Sequence, residues 1–196
     1  MFAERVQSTR AEQKRRTTAR VTEAAARLFR EHGFSGTTVR QIAAEAGVSV
    51  GAVMAVGDKE SLLSLVYDEA IAARIPAPPA AGSTTSAVGY LSRYFAPFLD
   101  LFADNEELAR AYFRALSRGR PENAALGGLR TLTESYLTAA MVNAGMPDDR
   151  ARLGAQVMFA GYLGELMLLA AGTTDFRQAA TRIRQTAEFV TAQERS

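Results

Sequence analysis

"TVRQIAAEAGVSVGAVMAVG", residues 38–57, decides how the rest of the chain is read. Ile42, Ala43, Ala46, Val48, Val53 and Val56 are spaced to pack two short helices against each other. Ala43 is small where the helices would cross, and Gly47 suits the tight turn between them. Thr38 followed by Gln41 predicts a capping box for the first helix, and Ser49 predicts the cap of the second. This is the spacing of a helix-turn-helix.

In that motif the second helix is presented to the major groove of duplex DNA. Its chemistry here is unusual. Between Glu45 and Lys59 no side chain is cationic. Ser49, Val50, Gly51, Ala52 and Met54 hold the outward positions and offer methyl and thioether surface. Such a surface can touch thymine methyl groups, but it cannot make the bidentate hydrogen bonds that read guanine or adenine.

Working outward, apolar residues follow helical spacing nearly everywhere and no stretch alternates as a strand does. The first helix is expected from about Ala11 to Glu31, with Val21, Ala24, Ala25, Leu28 and Phe29 inward and Gly33 as its stop. His32, the single histidine, falls in the last turn, where a cation suits the helix dipole. After a break at Gly57, Asp58 and Glu60 open a fourth helix, "KESLLSLVYDEAIAAR". "IPAPPAAGSTTS", residues 75–86, reads as a linker. Five longer helices follow, at about 86–103, 105–118, 122–144, 148–171 and 175–193, separated by "DNEE", "GRPEN", "GMPDD" and "GTTD". The expected protein is all-α. A three-helix helix-turn-helix domain occupies 1–75, with a basic arm at 1–19, and a helical ligand-binding and dimerisation bundle occupies 76–196.

Composition narrows the function. With no cysteine and one histidine, disulfides, thiol nucleophiles, zinc-thiolate sites and histidine triads are all unexpected. No phosphate loop or paired-carboxylate motif is evident, so no catalytic, metal or cofactor site is expected and an enzyme is disfavoured. No run of about 18 apolar residues is evident, so no membrane span is expected, and the basic N-terminus lacks the apolar core of a secretory signal. A cytoplasmic protein is the expectation. Residues 1–40 hold nine lysines and arginines against four glutamates, which points to a polyanionic partner at that end.

"TEAAARLFREHGFSGTTVRQIAAEAGVSVGAV", residues 22–53, followed by "DKESLLSLV" at 58–66, resembles the DNA-binding domain of the tetracycline-repressor (TetR) family of bacterial regulators. The resemblance implies an all-helical homodimer that binds a palindromic operator in double-stranded DNA and is released by a small-molecule effector. Thr37 or Thr38 and Arg40 match its phosphate-contacting positions, Ser49, Val50, Gly51, Ala52 and Met54 its groove-facing ones, and Lys59 its phosphate-contacting lysine. The chain departs from the family in three places. A cation is frequent where Val50 sits, aromatics are common at Met54 and Gly57, and "MAVGDKE" is one residue shorter than the usual loop. The arm cations Lys14, Arg15, Arg16 and Arg20 are therefore expected to supply much of any DNA affinity, by the minor-groove route that some relatives use. The rival reading is a helical ligand-binding or adaptor dimer whose DNA-binding head has degenerated.

The C-terminal segment carries two further patterns. Tyr90, Tyr94, Phe98 and Leu101 follow one face of "YLSRYFAPFLDLF" with Phe95 and Phe102 close beside it, and Pro97 is expected to kink the helix and open space. With Tyr112, Phe113, Tyr136, Met141, Met158, Phe159 and Tyr162 from the following helices, Tyr90, Tyr94, Phe98 and Phe102 form a candidate pocket for a small hydrophobic or aromatic effector. In "RLGAQVMFAGYLGELMLLAAG" the residues Gly154, Val157, Gly161, Gly164 and Leu168 recur at helical spacing, as do Phe176, Ala180, Ile183, Ala187 and Val190 in the last helix. These are the expected dimer interface. Glu165, the one charge between Arg152 and Asp175, needs a partner. An arginine of the same or the other subunit is one reading, and recognition of a cationic ligand is the other.

Overall fold

The structure is a computed structural model that describes residues 2–77, 80, 86–117 and 124–192. Among the described residues there are helices and turns but no strand. The elements are α1 (Phe2–Gly36), α2 (Val39–Ala46), α3 (Val50–Val56), α4 (Lys59–Ala72), α5 (Ala87–Ala103), α6 (Glu106–Ser117), α7 (Ala124–Asn143), α8 (Asp148–Ala170) and α9 (Phe176–Thr191). The packing divides the chain into two compact units, Met1–Ala70 and Ile71–Ser196. That division falls within the last turn of α4 rather than at residue 75. The "GRPEN" break and residues 78, 79 and 81–85 of the expected linker lie outside the described residues.

Local chemistry sets the boundaries of the first unit. Gly33 breaks α1 with φ 71° and ψ 172°, and one further turn runs to Gly36. At the head of α2, Thr38 Oγ1 accepts from the Gln41 N–H at 3.3 Å, and Gln41 Oε1 accepts from the Thr38 N–H at 2.8 Å. This is the capping box that the sequence predicts. Gly47 ends α2 at φ 61°, a left-handed conformation that favours glycine. Ser49 Oγ accepts from the Ala52 N–H at 3.1 Å and starts α3. Asp58 Oδ1 accepts from the Ser61 N–H at 2.8 Å and starts α4. The short loop between α3 and α4 closes tightly: a Cβ on Gly57 would lie 2.7 Å from the Cβ of Ser61, so no side chain fits there. Val21, Ala24, Ala25 and Phe29 of α1 form the core with Ile42, Val53, Leu62 and Leu63.

One boundary differs from expectation. α1 begins at Phe2, not near residue 11, so the basic arm is an extension of the helix.

In the second unit α8 packs on α7, α9 and α6, while α5 packs on α9, α7 and α6. Pro97 sits inside α5, and the helix runs on past it to Ala103. The inward face of α5 is formed by Leu91, Tyr94, Phe95, Phe98 and Phe102, so Phe95 belongs with the stripe and the half-buried Tyr90 flanks it. Contrary to the sequence reading, one helix is long and apolar enough to cross a membrane: α8, by length and composition alone. In the fold its apolar residues take two roles. Ala151, Ala155, Met158, Phe159, Tyr162, Leu166 and Leu169 are buried within the unit, whereas Leu153, Val157, Met167 and Leu168 are exposed.

Candidate nucleic-acid interface and bundle cavity

The two helices of the motif are held by cations that bind backbone carbonyls. Lys59 Nζ donates to Phe34 O at 2.8 Å and to Thr37 O at 3.0 Å, and lies 4.2 Å from the centre of the Phe34 ring. It ties the start of α4 to the end of α1. Arg20 donates from Nη2 to Ala46 O and Gly47 O, which closes the carbonyl end of α2. A Cβ at Gly47 would approach that same nitrogen to 2.8 Å. Arg27 bridges α1 and α2 through Glu45 Oε1, at 2.8 Å from Nη2 and 3.1 Å from Nε, with Glu23 at 3.0 Å. Its hydrogen bonds to Glu45 hold the guanidinium pKa above its ordinary value.

These contacts give three of the expected phosphate-contacting residues partners inside the protein. Thr37 is buried at 1% exposure, and its hydroxyl donates to Leu28 O at 3.1 Å or Gly33 O at 2.8 Å, so it faces the protein. Thr38 and Arg40 remain exposed at the start of α2. Lys59 and Arg20 hold the frame together instead of projecting freely from it. Sequence spacing can place a cation on a helix, but it does not reveal which carbonyls the tertiary fold brings within reach.

The outward face of α3 consists of Val50, Gly51, Met54 and Ala55, with Ser49 exposed just before it. Val50 and Met54 are 43% and 51% exposed. Ala52 is half-buried on the flank, and Ala55 takes a place on the face that the sequence reading left empty. Lys14, Arg15 and Arg16 are exposed on the helical extension of α1. An α-helix with its side chains is about 10–12 Å across and the minor groove is about 6 Å wide, so a helical arm cannot enter it. In this conformation any minor-groove contact by the arm falls to its side chains and not to its backbone.

Aromatic rings meet inside the bundle. Phe95 stacks on Tyr162 with centroids 4.5 Å apart, and Tyr94 lies 5.8 Å from Phe98. Phe102 meets Phe113 at 4.7 Å and Tyr112 at 6.1 Å. Between them is a cavity of about 30 Å³. Of the expected pocket residues, Tyr94, Phe98, Phe102, Tyr112, Phe113, Phe159 and Tyr162 line it. Leu116, Leu129, Thr133, Leu163, Leu166 and Ile71 line it as well and were not foreseen, as does Phe95, which the sequence placed beside the stripe. Tyr90, Tyr136, Met141, Met158 and Glu165 do not line it.

The cavity carries hydroxyls and no charged side chain. Tyr94 Oη and Thr133 Oγ1 share a buried hydrogen bond of 3.0 Å. Burial raises the Tyr162 pKa well above the usual phenol value, with Tyr112 and Tyr94 adding to the effect. Burial likewise pushes Tyr90 up to about 12, and its hydroxyl donates to Ala77 O at 3.1 Å. Both phenols are neutral at ordinary pH.

Glu165 has a different partner from any ligand. Arg182 of α9 grips it with two hydrogen bonds of 2.7 Å and also donates to Thr174. This is a link between α8 and α9 inside one chain, and it removes Glu165 from the candidate pocket. The expected dimer residues divide in the same way. Ile183, Ala187 and Val190 are buried within the bundle. Gly154 is buried too, where an added Cβ would lie 3.0 Å from Met141 Sδ and 3.8 Å from Val190 Cβ. Val157, Gly164, Leu168 and Ala180 are exposed, while Gly161 and Phe176 are half-buried. Phe189, missed in the sequence, is 78% exposed on α9. Its signal was present: it is the large apolar residue one position before Val190, which faces inward.

Residues 21–56 match the family model for bacterial regulatory proteins of the tetR family. The whole chain has the fold of solved regulators of this kind. A TetR transcriptional regulator from Rhodococcus sp. RHA1 superposes with a TM-score of 0.70 at 18% identity, covering 93% of this chain and 98% of its own. TylP, a TetR regulator from Streptomyces fradiae, gives 0.56 at 23% identity, with 94% and 89% covered. The transcriptional regulator FadR from Bacillus subtilis, solved with stearoyl-CoA, gives 0.57 at 18% identity, with 89% and 97% covered. No curated protein matches the chain.

Proposed function

We propose that this chain, whose residues 21–56 match the tetR-family model and whose fold is that of solved TetR regulators, is a ligand-responsive repressor of that family. It binds a palindromic operator as a cytoplasmic homodimer and leaves it when a small hydrophobic or aromatic effector enters the bundle. The observation that carries this reading is the helix-turn-helix: α2 and α3 are capped at each end as the motif requires, and the outward face of α3 leaves its largest residue, Met54, half exposed. Arg40, Lys14, Arg15 and Arg16 are exposed cations available to phosphates.

The cavity supports an uncharged effector. The FadR relative was solved with an acyl-CoA, whose phosphates call for cations. None of the residues lining this cavity is charged. The dimer reading is supported by the exposed Leu153, Val157, Leu168 and Phe189, and by Gly164, beside which nothing lies within 4 Å. A fully polar surface on this face would have counted against it. Sedimentation of the Leu168→Glu variant checks it: a monomer is expected, and an unchanged dimer overturns this interface.

The decisive experiment is a gel shift against the DNA upstream of the chain's own reading frame, at two salt concentrations. Tight binding that survives competitor DNA is expected. Replacing Lys14, Arg15 and Arg16 together by alanine should weaken it and flatten the log K against log salt slope, by up to about 0.9 for each phosphate that is no longer neutralised. The rival, an adaptor dimer with a degenerate head, draws on the apolar α3 and on the internal roles of Arg20 and Lys59. It predicts only weak, salt-sensitive binding.

A further inference from the structure

Gly51 is the feature of α3 that its own fold does not explain. A Cβ added there would meet only Ser49 Oγ, at 3.8 Å, an ordinary van der Waals contact. Its φ is not positive, so the backbone does not call for glycine either. Glycine in a helix is nonetheless less favourable than alanine. The contrast with the two neighbouring glycines is sharp. Gly47 is left-handed and crowded by Arg20, and Gly57 is pressed on Ser61. At Gly51 the space a side chain would fill lies outside the protein.

The residues around it fit one kind of occupant. Val50, Met54 and Ala55 share the exposed face with Gly51, and that face carries no hydrogen-bonding side chain. Ser49 Oγ already accepts from the Ala52 N–H. The same unit exposes cations, Arg40 at the start of α2 and Lys14, Arg15 and Arg16 on α1. An apolar reading face in a unit that also offers exposed cations complements a surface with anionic edges and apolar points inside. In the major groove, phosphates form the edges and the thymine C5-methyl is the apolar group the bases display.

We propose that α3 reads thymine methyl groups by close approach: Gly51 lets the helix backbone sit against the base edges, and Val50 and Met54 pack on the methyls. This rests on the reading of α3 as the groove-docking helix and adds what it recognises. Sites rich in thymine at the α3 footprint follow, with no bidentate guanine contact from this helix.

The test begins by selecting duplexes from a random library with the full-length protein, then replacing single thymines by deoxyuridine, which removes only the methyl. Each contacted thymine should lose about fourfold in affinity, the value of one buried methyl. Thymines outside the α3 footprint should lose nothing. Met54→Ala should abolish the penalty at its own thymine. Gly51→Ala should raise the melting temperature by about 2–4 °C, by helix propensity in a chain of this size. The same variant should bind the selected duplex about tenfold or more weakly, as an overpacked contact does. Tight binding that is indifferent to deoxyuridine, or a Gly51→Ala protein of unchanged affinity, overturns the methyl readout and leaves the DNA-binding reading standing. A library from which no duplex is enriched overturns both.

Discussion

The two units place their polar contacts differently, although both contain links such as Arg182–Glu165 between α9 and α8. In Met1–Ala70, Lys59, Arg20, Thr37 and Arg27 bond to carbonyls or carboxylates across element boundaries and tie α1 to α2 and to the start of α4. In Ile71–Ser196, hydroxyls of Tyr94, Thr133, Tyr162 and Tyr112 are gathered among rings around a small void. A unit locked by directional bonds presents a fixed surface. A unit held by aromatic packing beside a void changes shape only by parting those rings, and each gap forfeits part of their van der Waals attraction. The bonded frame suits a surface that would read a sequence, and the ring-lined void suits a part that would sense a ligand.

The largest expected effect sets the same truncation in both units. Phe29→Ala, at a position with no exposure, should cost about 3–5 kcal/mol in urea unfolding. Phe98→Ala should cost distinctly less, since the Tyr94 and Tyr162 rings at 5.8 and 6.5 Å border a void into which they can relax. Equal costs would break the comparison.

Next in size is Lys59→Met, which leaves the carbonyls of Phe34 and Thr37 without their donor. A loss of about 1–3 kcal/mol of stability is expected from unpaired, partly buried acceptors. Should affinity for DNA fall while the melting temperature holds, Lys59 is a phosphate ligand and not a brace.

Glu165→Gln breaks the charge pairing with Arg182 but keeps the shape. Arg182 is 39% exposed, so water screens the pair and only a small loss of stability is expected. Ligand response, read by effector-induced release from DNA, should be retained, because Glu165 does not line the cavity. Loss of response with normal stability would return Glu165 to the pocket.

The smallest effect is visible only in alkali. The folded state keeps Tyr162 protonated above the usual phenol pKa of about 10. The unfolded chain therefore releases that proton first, so stability is unaffected below about pH 10 and falls as pH rises beyond it. Tyr162→Phe should flatten that fall. An identical alkaline profile in variant and parent would show that the phenol is not buried.

What could be read in the sequence follows the same division. Thr38, Gln41, Gly47, Ser49 and Asp58 act within a few residues of themselves, so the helix ends of the first unit were legible from caps and turns alone. The partners of Arg20 and Lys59 lie 26 and 25 residues away, and no local rule ranks phosphate above carbonyl for a cation. In the bundle, the aromatic stripe of α5 was legible as an apolar face. The side of α9 that turns inward was not, because Ile183, Ala187 and Val190 form an apolar stripe that an interface between copies would also require. The helical start at Phe2 escaped for another reason: its residues are polar and lack the periodicity that announces a helix.

The void of about 30 Å³ has a consequence for how such a protein would count molecules. It holds about one water, far below the several hundred Å³ of an ordinary small-molecule site. An effector larger than that space would have to part the rings to enter, and its apparent affinity would then be its true affinity scaled by the open fraction. Every ~1.4 kcal/mol needed to part the rings raises the half-response concentration tenfold. Tightness of packing then acts as a detection threshold. Weak or scarce compounds are ignored, and a single ring trimmed from the cavity wall would make the protein more sensitive and less discriminating.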